Sequence, residues 1–253
     1  MTITDNRYEF KKLLDGLADA IPTDYLCLDL ETTGFTFSYQ SQMNKDQYIG
    51  DLVVEVGTCD VSNHRADWFD ADVLNWCGEH GIQDPWLVDK FDMCSHSMAK
   101  SGKTYHMNLP RMRQEGVDPI ESLEKLRSKL AASIRDGTPI VGFNILSFDR
   151  RVIDDVFVEW LDCGLYIPDE LIFDVGLLEK ASQLKISPST HESSVSFFQR
   201  VNAVRAKGVR WNLDACVKKY ALASLYDLSP AETHSAGVDA MVSHLLLKEM
   251  LEI

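Results

Sequence analysis

Residues Tyr25–Phe35 read YLCLDLETTGF. Tyr25–Leu30 has the apolar pattern of a buried β-strand, yet two acids enter it at Asp29 and Glu31. Successive strand side chains point to opposite faces, so these two carboxylates share one face. Thr32, Thr33 and Gly34 then turn the chain and offer backbone N–H groups. Sites in α/β proteins commonly form at the C-terminal ends of such strands. Taken alone, the pair also fits two solvent-facing acids at a strand end.

Working outward, DLVVEVGTCDV (residues 51–61) predicts a second strand and HRADWFD (residues 64–70) a third, as in a β-meander. A helix is expected upstream from about Arg7 to Ala20. Residues 35–50 lack a clear period and read as a long loop, and residues 71–117 as short helices and loops. Asp118, Pro119 and Glu121 form a helix start: an N-cap acid, proline at the first position and a capping-box acid. Ile120, Leu123, Leu126, Leu130 and Ile134 follow at helical spacing, and Gly137 ends the run. PIVGFN predicts a short buried strand feeding a helix over Phe148–Trp160. LIFDV reads as another strand, residues 181–210 as an insertion, WNLDACVKKYAL as a helix and Val238–Leu251 as the last one. With neither internal repeat nor low-complexity linker, residues 1–253 read as one α/β domain, a mixed central sheet flanked by helices.

Two further stretches carry acids at element ends. In VGFNILSFD, Asn144 leaves a strand and Asp149 opens a helix. In HSAGVDAMVSHLLL, His234 precedes Asp239 by five positions. On one helix that offset turns the side chains apart by roughly 140°. The two converge only if His234 lies in the entering loop and Asp239 in the first turns. Each stretch has an ordinary explanation by itself: a turn asparagine, an acid at a helix N-terminus, a capping histidine. Together they supply four carboxylates and an imidazole. Hard divalent cations such as Mg2+ and Mn2+ take carboxylate oxygens. A pair of such ions can activate water and stabilise a leaving oxygen in phosphodiester cleavage. A neutral histidine, titrating near physiological pH, suits the removal of a proton from that water.

The net charge of −14 excludes a protein that holds nucleic acid by a general basic field, so any such contact must be local or carried by metal ions. Cysteines 27, 59, 77, 94, 163 and 216 form no C-x-x-C pair, which argues against zinc or redox motifs and for a reducing, cytoplasmic setting. No stretch has the apolar length of a membrane span, and the N-terminal residues lack the apolar core of a secretory signal.

These motifs resemble the DEDD superfamily of 3′–5′ exonucleases, specifically its DnaQ-like, histidine-type (DEDDh) branch. LDLETTGF resembles the first motif, GFNILSFD the second and HSAGVDA the third. A tyrosine-type member would carry Tyr four residues before the last acid, where Ser235 stands. DLVVEVG, HMNL and WNLDACVKKYAL are also similar to family landmarks, and the likeness runs through most of the chain from Tyr25.

The resemblance implies a ribonuclease H-like fold and a two-metal exonuclease that releases nucleoside 5′-monophosphates from single-stranded DNA or RNA 3′ ends. It implies that Asp29 and Asp239 hold one ion, and that Asp29, Glu31 and Asp149 surround the second. It also implies that His234 is the general base. By the same likeness, Thr32, Thr33, Gly34 and Phe35 meet the terminal nucleotide, while Asn144 orders the second motif's loop and Phe148 packs in the core. The long segments 35–50 and 181–210 depart from a compact member and leave substrate preference open. A short-oligoribonucleotide nuclease, a polymerase proofreading subunit and a non-catalytic nucleic-acid-binding or scaffold module remain alternatives. A polymerase or a second copy of the chain is a possible protein partner.

Two weaker signals complete the reading. SGKT (residues 101–104) lacks the glycine and preceding strand of a phosphate-binding loop and is rejected. The locally basic region 180–219 has Lys185, Arg200, Arg205, Lys207, Arg210, Lys218 and Lys219 interleaved with Phe197, Phe198 and Trp211. It fits either a flap guiding single-stranded substrate or a solvated helix with its aromatics in the core. Arg150 and Arg151, beside Asp149, are read as surface residues, and His106 and His244 as structural.

Overall fold

The computed structural model describes residues 13–33, 52–79, 87–88, 109–205, 211–226 and 235–252. Strand β1 (Tyr25–Thr32) runs two residues beyond the predicted end. The extension has a physical cause: β2 (Val53–Ser62) continues alongside it, pairing antiparallel from Tyr25↔Val61 to Glu31↔Glu55 before a bulge at Thr32. The single third strand expected over residues 64–70 is instead two short ones, β3 (Arg65–Ala66) and β4 (Asp70–Val73), both antiparallel to β2.

Helix α1 (Leu109–Glu115) precedes α2 (Pro119–Asp136). The Asp118 carboxylate accepts from the Glu121 N–H at 3.0 Å, and Gly137 closes α2 with φ +68°, as the capping pattern predicts. Strand β5 (Ile140–Gly142) lies parallel to β1, α3 spans Asp149–Leu161, and β6 (Ile172–Asp174) lies parallel to β5. Then come α4 (Val175–Leu184), α5 (Ser194–Ala203), α6 (Leu213–Lys219), α7 (Leu222–Leu225) and α8 (Ala236–Leu251). The helix expected over WNLDACVKKYAL stops at Lys219 as α6, and α7 starts only after Ala221, which takes the left-handed conformation with φ +54°.

The sheet order is β3-β2-β1-β5-β6, with β4 also on β2. This is the mixed central sheet flanked by helices expected from the sequence. Side-chain alternation along β1 splits the core into two layers. Leu26, Leu28 and Leu30 pack with Leu123, Leu126 and Leu130 of α2 and Val152, Ile153 and Val156 of α3. Tyr25 and Cys27 face the other way, against α4, α5 and α8. Asp29 and Glu31 continue that second face beyond the end of its apolar part.

Phe197, Phe198 and Val201 of α5 are fully buried in the second layer. Of the two readings of the basic region, the packed one therefore describes Phe197 and Phe198: neither ring is available to stack on a base. Residues 206–210 of that region, the upstream part of the predicted first helix before residue 13, and His106 lie outside the described residues. No helix of the described residues is long and apolar enough to cross a membrane.

Candidate metal centre

A glycine decides how the two ends of the chain meet. Gly57 lies opposite Asp29 in the β1–β2 pair. A Cβ there would stand 2.1 Å from the Ala236 carbonyl oxygen and 2.5 Å from the Gly237 nitrogen. Only a residue without a side chain lets α8 press its first turn onto the sheet at this point. A Cβ on Gly237 would likewise stand 2.9 Å from the Ala71 Cβ of β4. Asp239, one turn into α8, is thereby carried over β1.

Carboxylate oxygens of Asp29, Glu31 and Asp239 come within 4.8 Å of one another. All three residues are half-buried. Loss of solvent around Asp29 pushes its carboxyl well above the usual range, and the charges of Asp149, Asp239, Glu31 and Glu55 push it further. Without a cation, such a group holds a proton more tightly than an ordinary carboxyl. Oxygen-only donors, close spacing and mutual repulsion together fit a hard divalent cation. The first turn of a helix also favours negative charge, which suits the position of Asp239.

Asp149 belongs beside this trio, not in it. It is buried, and its Oδ1 accepts the Leu30 N–H at 3.1 Å. The reason lies in the sheet: β5 pairs with β1 only at Leu26 and Cys27, so beyond Gly142 the β1 backbone needs another acceptor. Burial raises Asp149 to about 7, with Asp174 adding repulsion and the Leu30 N–H opposing the rise. One Asp149 oxygen thus helps build the strand end while the residue's charge acts on Asp29.

Asp174, at the end of β6, is a component that sequence reading missed. It is fully buried. Its Oδ1 accepts from the N–H groups of Asn144 at 3.0 Å and Leu177 at 3.0 Å, and its Oδ2 from that of Leu146 at 3.1 Å. Burial raises it to about 6 against the pull of these donors. Asn144 has φ +64°, and its carbonyl accepts from the N–H groups of Ser147 and Phe148. The loop before Asp149 is therefore ordered by Asp174 and by the backbone of Asn144. Phe148 packs partly buried against the first core layer, also as expected. The signal for Asp174 was a buried strand ending in an acid, LIFDV, where Asp174 also caps α4.

Thr33 is completely buried. Its N–H donates to the Leu52 carbonyl at 2.9 Å and its Oγ1 accepts the Leu52 N–H at 3.1 Å. It joins β1 to the start of β2, and its backbone N–H is engaged by the Leu52 carbonyl. Thr32 is also buried. Gly34, Phe35 and His234 lie outside the described residues. His244 is buried, its Nδ1 2.8 Å from the Tyr25 hydroxyl. Arg150 pairs with Asp169 and sits over the Tyr166 ring.

A second missed residue is Glu55, which faces Glu31 across the strand pair and is 1% exposed. The EVG of the second strand signalled it only as part of a strand.

No family model and no curated protein matches the chain. Among solved structures the chain is similar to the RNase domain of the yeast Pop2 protein, at 11% identity and a TM-score of 0.48, over 98% of this chain and 83% of that one.

Proposed function

We propose that the chain is a metal-dependent 3′–5′ exonuclease acting on single-stranded DNA or RNA. The observation that carries this reading is the convergence of Asp29, Glu31 and Asp239 within 4.8 Å, from opposite ends of the chain. Asp29, Glu31 and Asp239, with Asp149 alongside, would hold two divalent ions, Mg2+ or Mn2+. Such ions supply an activated water and charge stabilisation for the leaving oxygen. His234, directly bonded to Ser235 at the entrance to α8, is the general base and takes the proton of the attacking water. Attack at phosphorus forms the new P–O bond and breaks the bond to the 3′-oxygen of the penultimate nucleotide. The products are a nucleoside 5′-monophosphate and a strand one nucleotide shorter with a 3′-hydroxyl. Thr32, Gly34, Phe35 and Asn144 border the terminal nucleotide in this reading.

The net charge of −14 favours a weak, salt-sensitive grip and distributive action. The test uses 5′-labelled single-stranded DNA and RNA of equal sequence with Mn2+ or Mg2+, beside Asp29→Ala. A ladder shortening from the 3′ end, absent in the variant, is expected and also ranks the two sugars. Purified, metal-supplied protein that leaves both strands intact overturns the reading in favour of a binding module.

A further inference from the structure

Glu55 is buried to 1% exposure on the face of β2 that carries the acidic centre, directly opposite Glu31. Like charges directly opposite on an antiparallel pair are destabilising, so this arrangement needs compensation. One oxygen has it: Oε1 accepts the Ser235 hydroxyl at 2.8 Å and lies 3.9 Å from the Arg111 guanidinium of α1. The other oxygen, Oε2, is sealed from solvent and has no hydrogen-bond partner among the described residues. A buried acceptor left in that state costs free energy, and its retention calls for an explanation.

We propose that Glu55 is a positioning residue of the metal centre, clamping Ser235 through Oε1 and presenting Oε2 to the cation-loaded site. This inference rests on the metal-dependent reading above. Ser235 is the hinge of the arrangement. Its side chain is held by Glu55, and its carbonyl accepts the Asp239 N–H at 2.8 Å. It is also bonded to His234. Glu55 therefore sets where the last motif enters the site without belonging to the trio itself. Groups that orient metal ligands from behind typically change affinity or activity by 10–100-fold when removed.

The experiment follows Mn2+ binding by thermal melting of the full chain, and separately kcat and KM on a single-stranded oligonucleotide. Glu55→Gln keeps size and an acceptor for Ser235 but removes the charge. It should fold, with a Mn2+ midpoint raised about 10–100-fold and kcat reduced more than KM is changed. Ser235→Ala should shift the midpoint in the same direction, and Ser235→Thr, which restores the hydroxyl, should recover it. The Ser235 pair carries the test if Glu55→Gln does not fold. An unchanged Mn2+ midpoint in both Glu55→Gln and Ser235→Ala overturns the inference, as does a wild-type chain whose melting ignores Mn2+. Wild-type protein that binds Mn2+ but cleaves nothing overturns the exonuclease reading alone, because the Mn2+ midpoints still decide the role of Glu55.

Discussion

Gly57 and Ala236 touch through their backbones: a Cβ on Gly57 would lie 2.1 Å from the Ala236 carbonyl oxygen. The contact seats α8, and with it Asp239, against the strand that carries Asp29. Gly57→Ala must push either β2 or α8 aside. The expected cost is about 1–3 kcal/mol of stability, the usual range for overpacking. Mn2+ binding should weaken as well, because Asp239 moves with its helix. Urea unfolding with and without Mn2+ checks both; a variant as stable and as metal-responsive as wild type would show that the contact is not tight in solution.

Replacing Asp29 should separate stability from function. Its carboxyl is held above the ordinary range by burial and then by its acidic neighbours. Asp29→Asn removes the repulsion, so the metal-free variant should melt higher by a few degrees, about 1 kcal/mol. The Mn2+-induced rise in melting temperature should disappear. Cleavage should fall by more than the ~100-fold typical of a residue that merely supports ligands. A metal-free variant that melts lower would contradict the electrostatic account.

Protons should compete with metal at the same place. Asp149 is raised to about 7, and Asp29 is shifted upward too. Lowering the pH from 8 to 6 protonates Asp149 in the folded state and favours the protonated form of Asp29, so the Mn2+ midpoint should rise across that interval. The metal-free fold moves the opposite way. An acid with a raised folded pKa makes the native state bind more protons than the unfolded one, so its contribution improves as pH falls through about 7. Mn2+ titrations at several pH values measure the first effect; a midpoint independent of pH would remove these carboxylates from the centre.

Asp174→Ala should act at a distance. It leaves the N–H groups of Asn144, Leu146 and Leu177 without their acceptor in a buried setting. The expected loss is about 3 kcal/mol or more. Because that loop leads into Asp149, residual activity should drop even where the protein remains folded at low temperature. Activity at 15 °C together with circular dichroism checks this, and folded protein with full activity would refute it.

His244 should make the fold acid-sensitive. Burial lowers it to about 4, helped by the positive charges of Lys248 and His64. Tyr25, its neighbour, is pushed up by burial and keeps its proton, and its hydroxyl shares a hydrogen bond with Nδ1 of the neutral ring. Below about 6.5 the unfolded chain takes up a proton that the folded ring resists. The contribution of His244 therefore falls as pH drops from 6.5 toward 4, by at most ~3 kcal/mol. Denaturation curves for wild type and His244→Gln at pH 7.5 and 5 test it: the variant should lose less stability on acidification, and parallel losses would contradict the assignment.

Local periodicity made much of the fold legible. The alternation of Tyr25–Leu30, the capped helix beginning at Asp118–Pro119 and the apolar final helix all follow from periods of 2 and 3.6, which neighbours in sequence encode. The shared face of Asp29 and Glu31 follows from the same rule. Convergence does not, because it depends on residues far apart in the chain. Asp239 reaches Asp29 because Gly57 has no side chain to hold α8 away. Asp149 stands beside the trio because β5 ends early and β1 needs an acceptor for the Leu30 N–H. Asp174 and Glu55 gain their roles only through partners on other elements, namely the loop at Asn144 and the helix entrance at Ser235. Phe197 and Phe198, exposed or buried by sequence alone, are drawn inward because α5 packs on α4 and Phe198 meets the Phe173 ring of β6. The chain's own pattern determined its strands, helices and acidic character. Tertiary packing decided which acids meet, since close approach depends on the shapes of surfaces that sequence distance keeps apart.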